Sequence, residues 1–340
     1  MDVPRVIKGQ VVLKKEVTPG VDVFADVYTA ADVMQVVATS IRFTPPRNEI
    51  ENTMTAGLMG RAPSILGAMT CGVSFDMWFR GAGAAYDDSP EVVPNIDRPL
   101  RACRLGRTFT NPPPASPSSL TYQQTDTEES FTCYLVDDVP GGSAHSYQIT
   151  GCVGTHTFRG RVGEGLLYTF NLQGQLEEEK DITYVPGTLV LTPGYPRLVG
   201  ANFQIGASNY APRFREISFS QGQSVVFVPS ENAVNGVAGA AVVDRNPRLS
   251  FDPEIDREAT SGFFAALRDG APLKDCTFQV GSTAVAWNQI KIRFGASGGN
   301  QLQLVEKSRD SRDGIVTQPV TALATIANGN DDYSYLLDNV

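Results

Sequence analysis

Ser74-Phe75-Asp76, followed by Pro94-Asn95-Ile96-Asp97-Arg98, returns half a chain later as Ser250-Phe251-Asp252 followed by Pro253-Glu254-Ile255-Asp256-Arg257. Each copy begins on a strand signal and leads into a short helical stretch closed by glycine. Pro99 to Leu105 precedes Gly106, and Ser261 to Asp269 precedes Gly270. A unit this long, occurring twice, indicates tandem copies of one domain rather than a solenoid, which needs at least three short repeats. Chance recurrence of a pentapeptide is the competing reading, and the matching order of flanking elements argues against it. A duplicated domain suits ring or shell building, because one chain then fills two quasi-equivalent places.

Outward from the first copy, Val73, Phe75, Met77 and Phe79 alternate with polar residues, as in a half-buried strand. Upstream, Met34–Phe43 is rich in β-branched residues and stops at Pro45-Pro46, which reads as the first core strand. Residues 1–28 read as an N-terminal arm, whose opening through about Glu16, with Val6, Val11 and Leu13 spaced by polar residues, is a strand or an extended segment. Between these strands, Pro45–Met69 is punctuated by Gly57, Gly60, Pro63 and Gly67 and carries no sustained period, the mark of a long functional loop. Downstream, Asn111–Pro117 is a stiff polyproline-like crossing. Strands near 131–136, 146–153, 155–162 and 166–172 then form an antiparallel meander. A linker over 181–197 leads to further strands near 216–220, 224–228, 248–251, 277–281 and 289–294. The fold class expected is mainly β: two tandem sandwich or barrel domains over 29–180 and 198–340, each with one short helix.

Glycine at 32 and proline at 22 residues of 340 agree with many turns between short strands. The net charge of −9 is shared, −6 over residues 1–180 and −3 over 181–340. A protein that neutralises DNA phosphates shows the opposite sign. The N-terminus has no basic segment followed by an apolar run, and no apolar stretch is long enough to span a membrane, so neither secretion by a signal nor membrane insertion is expected. Cys71, Cys103, Cys133, Cys152 and Cys276 form an odd set without C-x-x-C spacing, which suits small buried hydrophobes in a reducing cytoplasm. Neither His145 nor His156 stands at zinc-ligand spacing.

Motifs that suggest chemistry weaken in context. Gly295-Ala296-Ser297-Gly298-Gly299 fits the G-x-S-x-G nucleophile elbow, yet Gln301–Val305 alternates like a strand and no histidine follows. Gly160–Gly165 lacks the strand–turn–helix unit of a dinucleotide site. The pairs Asp87-Asp88, Asp137-Asp138 and Asp331-Asp332, and the run Glu177–Glu179, sit at turns where solvated charge is ordinary. No catalytic, cofactor or metal residue is therefore assigned. Arg98, Arg101, Arg104 and Arg107 recur every three residues; they read either as a solvated face or as an interface stripe pairing with acidic groups of a neighbouring copy.

Ala30-Ala31-Asp32, the loop segment Gly57–Ile65, the Val73–Gly83 strand with its Arg80-Gly81 turn, the helix from Pro99 and the closing strand Leu166–Gly174 together resemble the major tail tube proteins of bacteriophages with long, non-contractile tails. The likeness covers Thr29 to Gly174, and the second half looks like a diverged copy without the proline-rich crossing. The resemblance implies a virion protein made in the bacterial cytoplasm, whose strands join an inter-subunit, channel-lining barrel. A duplicated chain implies stacked trimeric, pseudo-hexameric rings that conduct DNA during ejection without binding it specifically. Implied partners are further copies, the tape measure protein, and tail terminator and tip proteins, with no cofactor and no membrane. It makes Arg47, Glu49, Glu51, Met59, Arg61 and Ile65 candidates for contact between rings, and Arg98, Arg101 and Arg104 candidates for contact between subunits. Acidity in both halves further suggests a negative lumen that does not trap phosphates. The alternative is a β-sandwich surface or carbohydrate-binding module; an enzyme lacks any coherent constellation.

Overall fold

The computed structural model describes residues 9–45, 49–50, 65–88, 91–110, 119–139, 143–205, 210–231, 236–270, 272–273, 276–282, 285–295, 301–326 and 329–338. Among the described residues the protein is mainly β, with 54% strand and 6% helix. Its first half supplies β1 (Gln10–Lys15), β2 (Val33–Met34), β3 (Arg42–Thr44), β4 (Glu49–Ile50), β5 (Ile65–Leu66), β6 (Thr70–Trp78), β7 (Asp87–Asp88) and β8 (Glu91–Val92). Helix α1 (Asp97–Ala102) follows, then β9 (Leu105–Thr110), β10 (Ser119–Gln124), β11 (Phe131–Val139), β12 (Ser143–Arg161) and β13 (Leu166–Thr183). The second half opens with β14 (Gln204–Ile205), β15 (Phe214–Ser220), β16 (Gln223–Pro229), β17 (Val237–Arg245) and β18 (Arg248–Pro253). Helices α2 (Glu258–Ser261) and α3 (Phe263–Asp269) lead to β19 (Pro272–Leu273), β20 (Cys276–Val280) and β21 (Ile290–Phe294). The chain ends through β22 (Leu302–Lys307), β23 (Asp310–Arg312), β24 (Ile315–Thr317), β25 (Val320–Ala324) and β26 (Tyr333–Leu337).

Two antiparallel sheets face one another. Alternation of large apolar and polar residues along each strand dictates this layering, since one face must be buried and the other is left wet. In the 12-stranded sheet, Phe75 and Met77 of β6, Tyr168 and Phe170 of β13, and Phe158 of β12 all point to the same buried side. The 6-stranded sheet, in the order β14-β20-β21-β26-β10-β9, answers with Phe278, Phe294, Tyr333 and Tyr335. Ring centroids of Phe219 and Tyr333 lie 4.8 Å apart across the layers, and those of Phe158 and Phe278 lie 5.9 Å apart. Each such side chain, buried from water, contributes about 1.5–3 kcal/mol. A smaller apolar cluster (Val12, Phe24, Tyr28, Tyr134, Ile182) lies beneath the segment that joins β1 to β2.

Both sheets are built from both halves. β12 pairs with β15 from Thr157↔Ser220 to Arg161↔Glu216, and β10 pairs with β26 from Leu120↔Leu337 to Gln123↔Ser334. The main core cluster correspondingly runs from Val11 to Leu337. The expected units 29–180 and 198–340 thus meet in one core, and the 181–197 stretch does not separate two cores among the described residues. The physical cause lies in β12. Expected as two strands, 146–153 and 155–162, it is one strand bent by bulges between Gln148 and Ile149 and between Thr150 and Val153. Before the bend its outer edge pairs with β11; after it, with β15.

Other expectations shift similarly. Residues 10–15, read as a strand or an extended arm, are a strand, and one of the core rather than of an arm: it pairs with β11, with Val11, Val12 and Leu13 fully buried. Met34–Phe43 is not one strand: Ser40 turns back, its amide and hydroxyl both donating to the Val37 carbonyl, and only β2 and β3 remain extended. The Ser40 hydroxyl oxygen also accepts the Asp76 amide hydrogen, so the turn is tied to β6. Helix α1 starts two residues before Pro99, and Arg104 (φ 60°), not Gly106, takes the left-handed position after it. The second half holds two short helices rather than one, with Gly262 between them. The proline-rich crossing 111–117 lies outside the described residues. All five cysteines are buried, as their reading as core hydrophobes expects.

Candidate assembly surfaces

Turned away from the core, the face of the large sheet is apolar over β1 and β11, where the smaller cluster covers it, and mainly polar beyond the bend of β12. Along β12, Thr155, Thr157 and Arg159 project there; along β13, Thr169, Asn171 and Gln173; along β15 and β18, Ser218, Ser220 and Ser250. Charges on this face balance, with Arg42, Arg159 and Arg248 interspersed with Asp76, Glu216 and Glu306. The hydroxyl-rich strip crosses from the first half to the second without interruption at the β12–β15 junction.

Strand order repeats along this sheet. In the first half the order is β3-β6-β13-β12; in the second it is β15-β18-β25-β22. The Ser-Phe-Asp strand is second in each, a helix and a hairpin of the small sheet follow it in sequence, and a long hairpin returns beside it. The doubled tripeptide therefore marks equivalent places. Phe75 lies opposite Phe170, which lies opposite His156; Phe251 lies opposite Val320, which lies opposite Lys307. Seven residues beyond His156 and Lys307, Gly163 (φ 91°) and Gly314 (φ 80°) turn the two hairpins in a conformation L side chains rarely adopt.

The second motif of the repeat behaves differently in its two copies. Asp97 is buried in α1, where its carboxylate accepts the Tyr122 hydroxyl hydrogen at 2.6 Å and stands 3.3 Å from Arg107 and 3.6 Å from Arg101. Burial pushes this carboxyl upward in pKa, and the two arginines and Tyr122 oppose that push. Asp256 and Arg257, by contrast, are exposed.

The arginines that follow Asp97 find partners within the chain. Arg98 donates to the Leu13 and Ala31 carbonyls and stands 3.7 Å from Asp32. Arg101 meets Glu129 at 2.8 Å, and Arg104 meets Glu128 at 2.9 Å and the Val242 carbonyl at 2.8 Å. Burial would raise the Glu129 carboxyl, but hydrogen bonds from Arg101 and Lys15 outweigh it and hold the group below its ordinary pKa. Arg107 pairs with Asp88, Glu91 and Asp97. The stripe therefore ties α1 to the segments around it, where sequence spacing left either a solvated face or a surface for a neighbouring copy.

Of the loop candidates, Arg47, Glu51, Met59 and Arg61 lie outside the described residues. Glu49 and Ile65 belong to β4 and β5, which pair as a short hairpin stalk. At the equivalent place in the second half, between β15 and β18, stands the longer hairpin β16–β17, with Val226, Val228 and Val243 exposed. Sequence reading took 224–228 for an ordinary strand and missed its pairing with 237–245. The run of small residues Gly239-Ala240-Ala241 is the available signal for a ribbon whose backbone comes close to β12 and β13.

Open edges complete the picture. Among the described residues β3 pairs only with β6, and β22 pairs beyond β25 only through Pro272↔Gln303 and Leu273↔Leu302, leaving its end and β23 uncovered. No helix among them is long and apolar enough to cross a membrane. No protein-family model matches the sequence, and no curated protein matches it.

Proposed function

We propose that the chain is a structural subunit of a long-tailed phage virion, polymerising into stacked rings that form the tail tube and conduct DNA during ejection. The observation that carries this reading is the repeated strand order of the two halves, joined into one sheet whose outer face is mainly polar across the β12–β15 junction. A sheet whose ends remain open and whose unit is already doubled is suited to continue through further copies until it closes on itself, which removes exposed edges. Three chains with six half-units per ring follow from the doubling, with the hydroxyl-rich face lining the channel. Charges of both signs on that face, in place of the net negative wall that overall acidity suggested, leave no cluster of cations to trap phosphates. In the virion, partners are the tape measure protein inside the tube and the terminator and tip proteins at its ends. Electron microscopy of the assembled protein with rotational averaging tests the reading. Tubes with three chains and six similar densities per ring are expected; discrete particles without a channel, or six chains per ring, would overturn it.

A further inference from the structure

The junction between the two halves is a template for a junction the single chain leaves unmade. Inside the chain, the outer edge of the long hairpin in the first half (Thr157–Arg161) pairs with the leading strand of the second half, Arg159 lying opposite Ser218. Ser218 in turn lies opposite Ser250 of the Ser-Phe-Asp strand. In the first half the residue opposite the equivalent Ser74 is Arg42 of β3, so Arg42 occupies the place of Ser218. On the other side, Arg159 is three residues beyond His156, and the residue three beyond the equivalent Lys307 is Asp310. The register of β22–β25 runs on unbroken into β23–β24, since Lys307↔Val320 is followed in step by Asp310↔Thr317. The equivalence therefore holds up to the turn.

We propose that the edge formed by 308–312 pairs antiparallel with 41–44 of a second copy of this chain, placing Asp310 directly opposite Arg42. The contact is head-to-tail, because one copy gives the end of its second-half hairpin and the next gives β3, the leading strand of its first half, and such contacts form rings when the rotation between copies closes. Charge supports the register: an aspartate and an arginine, both exposed and both on the polar face, meet where a slip by one residue would set Arg42 against Arg309. One place further in, Phe43 takes the position of Phe219 and Arg309 that of Phe158, so a guanidinium covers a ring where two rings stack at 5.2 Å within the chain. The existing partial cover of β22 by β19 fits as well, since β11 covers the corresponding beginning of β12. This pairing deepens the ring reading by naming the contact through which rings close.

Cysteine cross-linking between two separate variants tests it. Arg42→Cys and Asp310→Cys place thiols on residues directly opposite each other, with Cβ atoms about 4.5–5.5 Å apart, while the native thiols are buried and Cys71 is pushed up to about 12 by burial. Oxidising the mixture is expected to give a covalent dimer containing one of each variant, and the doubly substituted chain a ladder ending at the closed ring. Disulfide dimers of Arg42→Cys alone would show a symmetric contact and overturn the proposal. Tubes seen by microscopy without any mixed cross-link would overturn this register while leaving the ring reading standing. A protein that stays monomeric at every concentration and gives no cross-link would overturn both. As a second measurement, Asp310→Arg and Arg42→Asp should each weaken association by about two- to fivefold, and combining them should restore it.

Discussion

His156 sits where both sheets and both halves meet, and its neighbours fix its proton. Gln221 donates its amide hydrogen to the Cys103 carbonyl, so its oxygen at 2.9 Å accepts from His156 Nδ1; Nε2 then accepts from the Tyr335 hydroxyl at 2.7 Å. Complete burial holds the imidazole neutral, pushing its pKa down to about 3, with the Gln221 bond opposing. The unfolded chain binds this proton below about 6.5 while the folded chain does not until near 3, so stability falls as pH drops through that window, by up to about 1.4 kcal/mol per pH unit. His156→Phe should flatten the acid limb of a stability–pH curve between those values, while costing about 1–3 kcal/mol at neutral pH for the bonds it strands. Denaturant titration at several pH values checks both. A second residue-scale expectation concerns Gly154, where a Cβ would stand 2.1 Å from the Asn171 carbonyl oxygen in the middle of the β12–β13 ladder. Gly154→Ala should lower the melting temperature substantially, by several degrees or more, because backbone rather than a flexible side chain must move.

Elements differ in how far sequence alone reveals them. β6 was legible because Val73, Phe75 and Met77 alternate cleanly with polar residues and bury one face. β12 was not: its 19 residues include bulges and Gly151 at φ 63°, which break the period and make one strand look like two. Helix α1 was found but misplaced, since its start is set by the buried Asp97 ion cluster rather than by the proline rule. The repeat was visible as a peptide, yet its equivalent places, the open edges and the β12–β15 junction depend on pairings distant in sequence that no local pattern encodes. The β16–β17 ribbon occupies the same topological place as the segment between β3 and β6, and exposes Val226, Val228 and Val243 without a partner layer. Both are expected to contact the next ring. Replacing 226–241 with a two-residue Asn-Gly turn keeps the Val225↔Val242 pair but removes the buried Val237, so it should lower the melting temperature by a few degrees, leave a folded chain and abolish long tubes. Normal tubes from that variant, measured by microscopy, would move stacking elsewhere.

The whole molecule is held together across the boundary that its repeat suggests. The first half without the second exposes Tyr122, Phe158 and Tyr168, whose rings or faces pack on Phe219, Phe278 and Tyr335. It also leaves the β12 and β10 edges without β15 and β26, and an exposed apolar edge strand invites aggregation. Neither half expressed alone should therefore give a cooperative unfolding transition, although the lengths are ordinary for single domains. The stretch joining them, however, carries little of this packing: Gly187 to Val190 is largely exposed, with Leu189 71% accessible. Cutting the chain between Thr188 and Leu189 removes a connection but no sheet pairing. The two fragments produced together should assemble into a soluble pair that melts in one transition, slightly below the intact chain and dependent on concentration, because only the linkage is lost. Size-exclusion chromatography and calorimetry decide it. Two independent transitions, or soluble folded fragments expressed separately, would show that each half keeps a core of its own, and the chain would then be a pair of linked domains and not one interleaved sandwich.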